Sequence, residues 1–172
     1  MKKIVLMAVV MLASVTAFAQ HRVGSITIQP KVGLNVADLT DSPGDSRIGL
    51  ATGAEFEFQL TDIFSLTAGA LYSMQGEDDA KLNYINAPIL ANVYVTRGLA
   101  VKLGLQPGFN VSDDDISGVK SVDLSIPVGL SYEVNRFVFD ARYNFGVTKV
   151  ADWADSKNSV FQFTVGYKFN LK

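Results

Sequence analysis

Apolar and polar residues alternate along most of the chain, and the last segment shows this pattern most clearly. From 161 to 171 every odd position is apolar or aromatic, whereas the even positions are Gln162, Thr164, Gly166, Lys168 and Asn170. The segment from 137 to 148 repeats the alternation, with its charged residues only at even positions. Successive side chains of a β-strand point to opposite faces, so both segments are predicted to be strands with one apolar and one polar face.

Six further runs of this kind cover residues 26–36, 48–60, 64–75, 84–95, 99–111 and 122–134, which makes eight predicted strands. Tight connections at 61–62, 96–98 and 135–136 alternate with longer polar ones at about 37–47, 76–83, 112–121 and 148–158. Short and long connections then lie at opposite rims, as in transmembrane barrels with short periplasmic turns. The predicted fold is all-β, an eight-stranded antiparallel up-and-down transmembrane β-barrel.

The apolar face could in principle point inward, as in a soluble eight-stranded barrel of the lipocalin type that surrounds a ligand. An eight-stranded barrel has an interior just wide enough to be filled by side chains, and the apolar face is too bulky to fit there. The other face carries nine glycines, which suit a crowded interior: Gly33, Gly49, Gly53, Gly69, Gly104, Gly108, Gly129, Gly146 and Gly166. The apolar face is therefore predicted to contact lipid.

The same register places nine charged residues inside the barrel, four basic and five acidic. Unpaired charges in such a confined space are costly, so this near-balance favours mutual ion pairing. A structural network of ion pairs is the favoured interpretation, and a selectivity-setting pore lining is the alternative. The nine residues are Lys31, Glu55, Glu57, Lys102, Asp123, Glu133, Asp140, Arg142 and Lys168.

The first nineteen residues have the features of a signal peptide. Lys2 and Lys3 precede an apolar run, and positions 17–19 form an A-x-A cleavage site. The run is shorter than the roughly 20 apolar residues of a membrane-spanning helix. The sequence thus predicts a signal peptide at 1–19 and one barrel domain at 20–172, exported to the outer membrane of a Gram-negative bacterium.

Composition excludes several other functions. Removing Lys2 and Lys3 leaves 13 basic against 17 acidic residues with no basic cluster, so nucleic acid is not an expected partner. Cysteine is absent, which rules out disulfides and thiolate metal sites. The only histidine, His21, follows the cleavage site and is interpreted as a solvated terminal residue, so no enzyme, cofactor or metal is predicted.

Two features of the longer connections are ambiguous. The acidic run at 113–115 could collect a divalent cation through carboxylate oxygens, but the other ligand positions of a calcium loop are missing, which favours a solvated loop. Trp153, the only tryptophan, could anchor the barrel at the membrane interface or be an exposed recognition residue. The anchor is slightly favoured.

Five phrases resemble a known family: KVGLN at 31–35, INAPIL at 85–90, VGLSYE at 128–133, DARYNFG at 140–146 and VGYKF at 165–169. In this order they are similar to the outer membrane protein beta-barrel or PorT-like porin family common in Bacteroidetes. The resemblance spans essentially the whole mature chain. It implies an outer-membrane location and an eight-stranded barrel, and it supplies no functional residues.

The C-terminal strand also contains a possible targeting motif. Gly166, Phe169 and Leu171 resemble the signal read by the outer-membrane assembly machinery, although Lys172 rather than an aromatic residue comes last.

Two functions from different classes fit the sequence. The favoured one is a non-catalytic outer-membrane barrel with a structural or surface-interaction role, its loops exposed to the exterior. The alternative is a small-solute porin or channel. The expected partners are outer-membrane lipid and the assembly machinery.

Overall fold

The chain forms a closed antiparallel β-barrel with eight membrane-spanning stretches, as the sequence predicts. The computed structural model describes residues 22–39, 47–76, 81–111, 122–151 and 154–172. Each stretch pairs with its neighbours in chain order, and pairing of the first with the last closes the barrel. The predicted signal peptide at 1–19, His21, the acidic run at 113–115 and Trp153 lie outside the described residues, so their roles stay predictions.

Ten strands build the eight stretches, because two stretches are interrupted. The strands are β1 (Ile26–Leu39), β2 (Arg47–Gln59), β3 (Phe64–Gly76), β4 (Lys81–Asn86), β5 (Ile89–Tyr94), β6 (Leu99–Asn110), β7 (Val122–Val134), β8 (Phe137–Ala151), β9 (Ala154–Tyr167) and β10 (Phe169–Asn170). The fourth stretch consists of β4 and β5, and the eighth consists of β9 and β10. In the described residues no helix is long and apolar enough to cross a membrane.

The interruption between β4 and β5 has a local cause. Pro88 has no backbone N–H to donate to a neighbouring strand, so regular pairing stops there. Its carbonyl still accepts a hydrogen bond from the Gly69 N–H, at 3.1 Å, and the Ala87 N–H donates to the Pro107 carbonyl, at 2.8 Å. The predicted strand at 84–95 is therefore one stretch with a proline break.

The predicted long connection at 148–158 is wrong. β8 continues to Ala151 and β9 begins at Ala154, with Lys149 opposite Lys157 and irregular register on either side of that pair. This segment lacks the apolar alternation of a lipid-contacting strand, which is why the sequence predicts a connection there. Backbone pairing nevertheless continues to the pair Ala151 and Ala154.

The barrel wall has the predicted inside-out distribution of side chains. Leu103 and Val128 face each other across β6 and β7 and expose 55 % and 40 % of their surface. On the same two strands, Lys102 and Ser131 belong to the inner face and are buried. The short turns contain two residues with positive φ, Gly98 at 88° and Asn135 at 57°, the left-handed conformation that tight turns require. The three short connections lie at the rim that also carries both ends of the barrel domain.

Candidate functional site

Five charged side chains meet in the middle of the barrel and form what we call the central cluster: Lys31, Glu55, Lys102, Asp140 and Arg142. The Lys31 Nζ atom lies 2.5 Å from Glu55 Oε2 and 3.4 Å from Asp140 Oδ2. The Lys102 Nζ atom lies 2.6 Å from the same Asp140 oxygen. Arg142 joins the two carboxylates, with Nη2 2.8 Å from Glu55 Oε1 and Nε 2.8 Å from Asp140 Oδ1. Both oxygens of each carboxylate therefore contact a cation.

A second group of side chains, the rim cluster, lies at the end of the interior nearest the short turns. It consists of Glu57, Tyr94, Glu133 and Lys168. The Lys168 ammonium contacts Glu57 Oε2 at 2.7 Å and also pairs with Glu133. The Tyr94 hydroxyl lies 2.5 Å from Glu57 Oε1 and 2.9 Å from Glu133 Oε1, so its proton can be donated to either carboxylate. One lysine thus holds two carboxylates that come from β2 and β7.

The formal charges of the two clusters are complementary. The central cluster has three cations and two carboxylates, whereas the rim cluster has one cation and two carboxylates. The excess positive charge of the first therefore lies next to the excess negative charge of the second along the barrel axis. Together the eight ionic side chains are neutral, which makes their common burial tolerable.

Glycines on neighbouring strands provide the space for these long side chains. Gly166 on β9 faces Lys31 on β1, and a Cβ atom at position 166 would lie 2.8 Å from Lys31 Cγ. Gly129 on β7 faces both Lys102 and Arg142, and a Cβ atom there would lie 2.7 Å from Arg142 Cβ. Both distances are shorter than van der Waals contact, so any larger residue at 166 or 129 would push against Lys31 or Arg142.

The two clusters fill the cross-section of the barrel. Each of their eight ionic residues exposes 6 % of its surface or less, and the Lys31, Glu55 and Asp140 side chains expose none. Further toward the long connections, most residues that line the described interior are uncharged, and several of them are buried. There the Asn35 Nδ2 donates to Ser73 Oγ at 2.6 Å, and the Asn144 Nδ2 lies 3.4 Å from Gln162 Oε1.

Eight of the nine charged residues singled out in the sequence thus belong to one of the two clusters. The exception is Asp123, which is half-buried at the start of β7, opposite Gly108, and which has interactions of its own. The pattern of alternate positions does not distinguish a residue at the end of a strand from one at its middle.

The neutral members of this network were not among the residues predicted from the sequence. Tyr94 lies between two carboxylates, and the Gln29 Nε2 and Ser65 Oγ atoms donate to Glu57 at 2.5 Å and 2.6 Å. Asn92 lies beside them and donates to Ser65 Oγ at 2.9 Å. The one sequence feature that could have identified them is their position in the strands. All of them occupy the alternate positions that share the polar face with the charged residues.

The residues of the possible targeting motif lie on both faces of the last stretch. Gly166 points inward against Lys31, whereas Phe169 and Leu171 expose 47 % and 58 % of their surface on the lipid side. β10 pairs with β1 through Ile28 and Phe169. The assembly role of these three residues stays a prediction.

No metal site is evident in the part of the chain that the structure describes. No group of three or more histidine, cysteine, aspartate or glutamate side chains there could hold a metal ion. The carboxylates that come close together inside the barrel are engaged by lysine, arginine and tyrosine, as described above. Their arrangement supports neutralisation of charge and closure of the lumen.

Comparison with known proteins agrees with the barrel fold described above. Residues 5–169 match the model of a protein family described as the outer membrane protein beta-barrel domain. A search of curated protein sequences finds no significant match.

Solved structures with a similar fold come from several bacteria. Ail, the attachment invasion locus protein of Yersinia pestis, superposes with a TM-score of 0.56 at 15 % identity, over 86 % of this chain and 100 % of that one. Neisserial surface protein A superposes with a TM-score of 0.55 at 17 % identity, over 84 % and 97 % of the two chains. The N-terminal β-barrel domain of OprF from Pseudomonas aeruginosa gives 0.50 at 17 % identity, over 85 % and 98 %. At such identities the likeness is one of fold.

Proposed function

We propose that this chain, which belongs to the outer membrane protein beta-barrel family and lies in the outer membrane, is a non-catalytic barrel with a closed lumen. In this proposal it acts through its surface, and the longer connections between strands face the exterior. The observation that carries the proposal is the pair of neutralising clusters that occupies the interior. A barrel that keeps eight ionic groups buried and paired in its lumen is suited to a structural or surface-interaction role.

The alternative function, a small-solute channel, requires a continuous aqueous path. In an eight-stranded barrel the lumen is only wide enough for side chains, and here the central cluster and the rim cluster lie one above the other along the axis. A solute would have to displace at least one ion pair of each cluster, and uncovering a buried charge is costly. The structure therefore favours the closed barrel over the channel.

A conductance measurement distinguishes the two functions. We expect the purified full-length protein, refolded and inserted into planar bilayers, to show no large, steady single-channel current. A known conducting porin, reconstituted in parallel, controls for insertion. A stable open level of the unmodified protein, present in most insertions, would favour the channel.

The orientation of the barrel can be tested on cells because the chain has no cysteine. A single cysteine introduced by Ser42→Cys lies in the connection between β1 and β2, and one introduced by Asp62→Cys lies in the short connection between β2 and β3. We expect a polyethylene-glycol maleimide, too large for general porins, to label the first on intact cells and the second only after permeabilisation. Labelling of Asp62→Cys alone on intact cells would place the long connections in the periplasm and refute surface presentation.

The proposal also includes a more specific subfamily and an assembly signal in the last strand. The PorT-like subfamily rests on the five sequence phrases that resemble it, and the assembly signal rests on Gly166, Phe169 and Leu171. Phe169 and Leu171 are exposed on the lipid side. This exposure supports the proposal that the assembly machinery recognises the last strand before it enters the membrane.

A further inference from the structure

The outer wall of the barrel is interrupted by an apolar groove of about 400 Å³ between β6 and β9. Ala141 on β8 forms its floor, and the residues that face Ala141 on either side are Leu130 on β7 and Phe163 on β9. The next lipid-facing residues along β8 are Phe139 and Tyr143, both much larger than alanine. The groove exists because a methyl group occupies a position where its neighbours are bulky.

Aromatic pairs on β8 and β9 lie beyond this groove in both directions along the strands. Toward the long connections, the Tyr143 ring packs edge to face on Phe161, with centroids 4.5 Å apart. Toward the short turns, Phe137 packs edge to face on Tyr167 with centroids 5.2 Å apart. The inward-pointing residues that line the groove, such as Asp140, are buried on the lumen side, so they contribute backbone to the floor. The surface offered to the membrane is therefore apolar.

Two arginines lie at the short-turn end of the groove. Leu99 on β6 faces Tyr132 on β7, and both line the groove. Because β6 and β7 are paired, the turn before Leu99, which carries Arg97, is adjacent to the turn after β7, which carries Arg136. Both arginines are exposed, and Arg97 also has interactions of its own. Cationic groups thus lie beyond the short-turn end of an apolar groove.

We propose that this groove binds one acyl chain of an anionic phospholipid, whose phosphate contacts Arg136 beside Arg97. An acyl chain needs no hydrogen-bond partner, which fits the apolar floor and walls, and arginine pairs strongly with phosphate oxygens. The Arg136 side chain is exposed and therefore accessible to such a phosphate. Assignment of the lipid to the periplasmic leaflet rests on the proposed orientation, whereas the binding site itself does not.

Native mass spectrometry of the full-length refolded protein tests the site. The probes are phosphatidylglycerol and phosphatidylcholine with identical acyl chains, added to protein in detergent. We expect one phosphatidylglycerol to be retained by the unmodified protein. Ala141→Trp fills the groove and should weaken the retention of phosphatidylglycerol by at least about tenfold. The loss of contacts to two buried methylene groups of the lipid already accounts for that factor. Ala141→Leu fills less of the groove and should give an intermediate loss.

Matched controls separate the site from a general effect on the lipid-facing wall. Ala68 on β3 is also exposed on the outer face, between Phe56 and Ile89, and Ala68→Trp should leave retention unchanged. Arg136→Gln should reduce the preference for phosphatidylglycerol over phosphatidylcholine roughly fivefold. Arg22→Gln, at another exposed arginine of the described chain, should not reduce it.

Three results would overturn the proposal. The first is equal retention of lipid by the unmodified protein and Ala141→Trp, with circular dichroism showing that both are folded. The second is a protein dimer that Ala141→Trp dissociates, which would make the groove an interface between two copies. The third is a loss of lipid in Ala68→Trp as large as that in Ala141→Trp. None of these results depends on whether the lumen conducts.

Discussion

Replacing Lys102 and Arg142 together with alanine should open the lumen to ions and lower the free energy of unfolding by about 3–5 kcal/mol or more. The two residues supply three of the five ion-pair contacts around Glu55 and Asp140, at 2.6–2.8 Å. Without them both carboxylates depend on Lys31 alone. The variant therefore loses two bulky side chains from the lumen and gains uncompensated negative charge, and both changes favour entry of water and cations.

The measurement combines single-channel conductance with urea unfolding in detergent or lipid vesicles. A control removes two neutral, buried inner-face side chains, Gln106→Ala with Gln162→Ala, and leaves every ion pair of the central cluster intact. We expect this control to conduct as little as the unmodified protein, because the central cluster still closes the lumen. If the unmodified protein conducted steadily and the Lys102 and Arg142 double variant conducted less, these residues would line a working pore and the channel would replace the closed barrel.

Lys168→Met should destabilise the barrel by a similar amount, about 3–5 kcal/mol, because it removes the single cation of the rim cluster. Glu57 and Glu133 would then remain buried next to each other, with the Tyr94 hydroxyl able to donate its proton to one of them at a time. Glu57 keeps hydrogen bonds from neutral donors, including Gln29. Repulsion between the Glu57 and Glu133 carboxylates is the expected source of the destabilisation.

A double-substitution cycle gives this prediction a sharp test. Adding Glu133→Gln to Lys168→Met should restore a large part of the lost stability, since the second change removes the repulsion that the first creates. Lys172→Met is the matched control, because it removes an exposed lysine four residues further along the same end of the chain. An ordinary surface substitution changes the free energy of unfolding by no more than about 0.5 kcal/mol. If Lys168→Met changed it by no more than that, the rim cluster would not hold the strands together.

The rim cluster also links stability to closure of the barrel. Its members come from β2, β5, β7 and the last stretch, and Lys168 lies at the break between β9 and β10. Lys168 reaches Glu57 on β2 from the far side of β1, so this contact crosses the seam at which the last stretch pairs with β1. Neutralisation of Glu57 by Lys168 therefore depends on the closed barrel.

The sequence by itself determined the strands, their inside-out arrangement and the identity of the buried charges. Strict alternation fixes which residues share a face, so Lys31 and Glu55 could be placed inside without coordinates. The bulk of the apolar face then decides that it points outward, because an eight-stranded lumen has no room for it. Alternation failed at 148–158, because it reveals only strands whose two faces differ in polarity, and it did not reveal the break at Pro88.

Only the tertiary structure decided which charges meet. Lys31 and Glu55 lie on adjacent strands, but Arg142 reaches Glu55 across the lumen from a position 87 residues away. That contact depends on the stagger of the strands around the barrel, which is a property of the closed structure. The same stagger separates the central cluster from the rim cluster, brings Tyr94 between two carboxylates and leaves Asp123 outside both. Alternation describes one strand at a time, whereas these contacts join side chains from strands that are distant in the sequence.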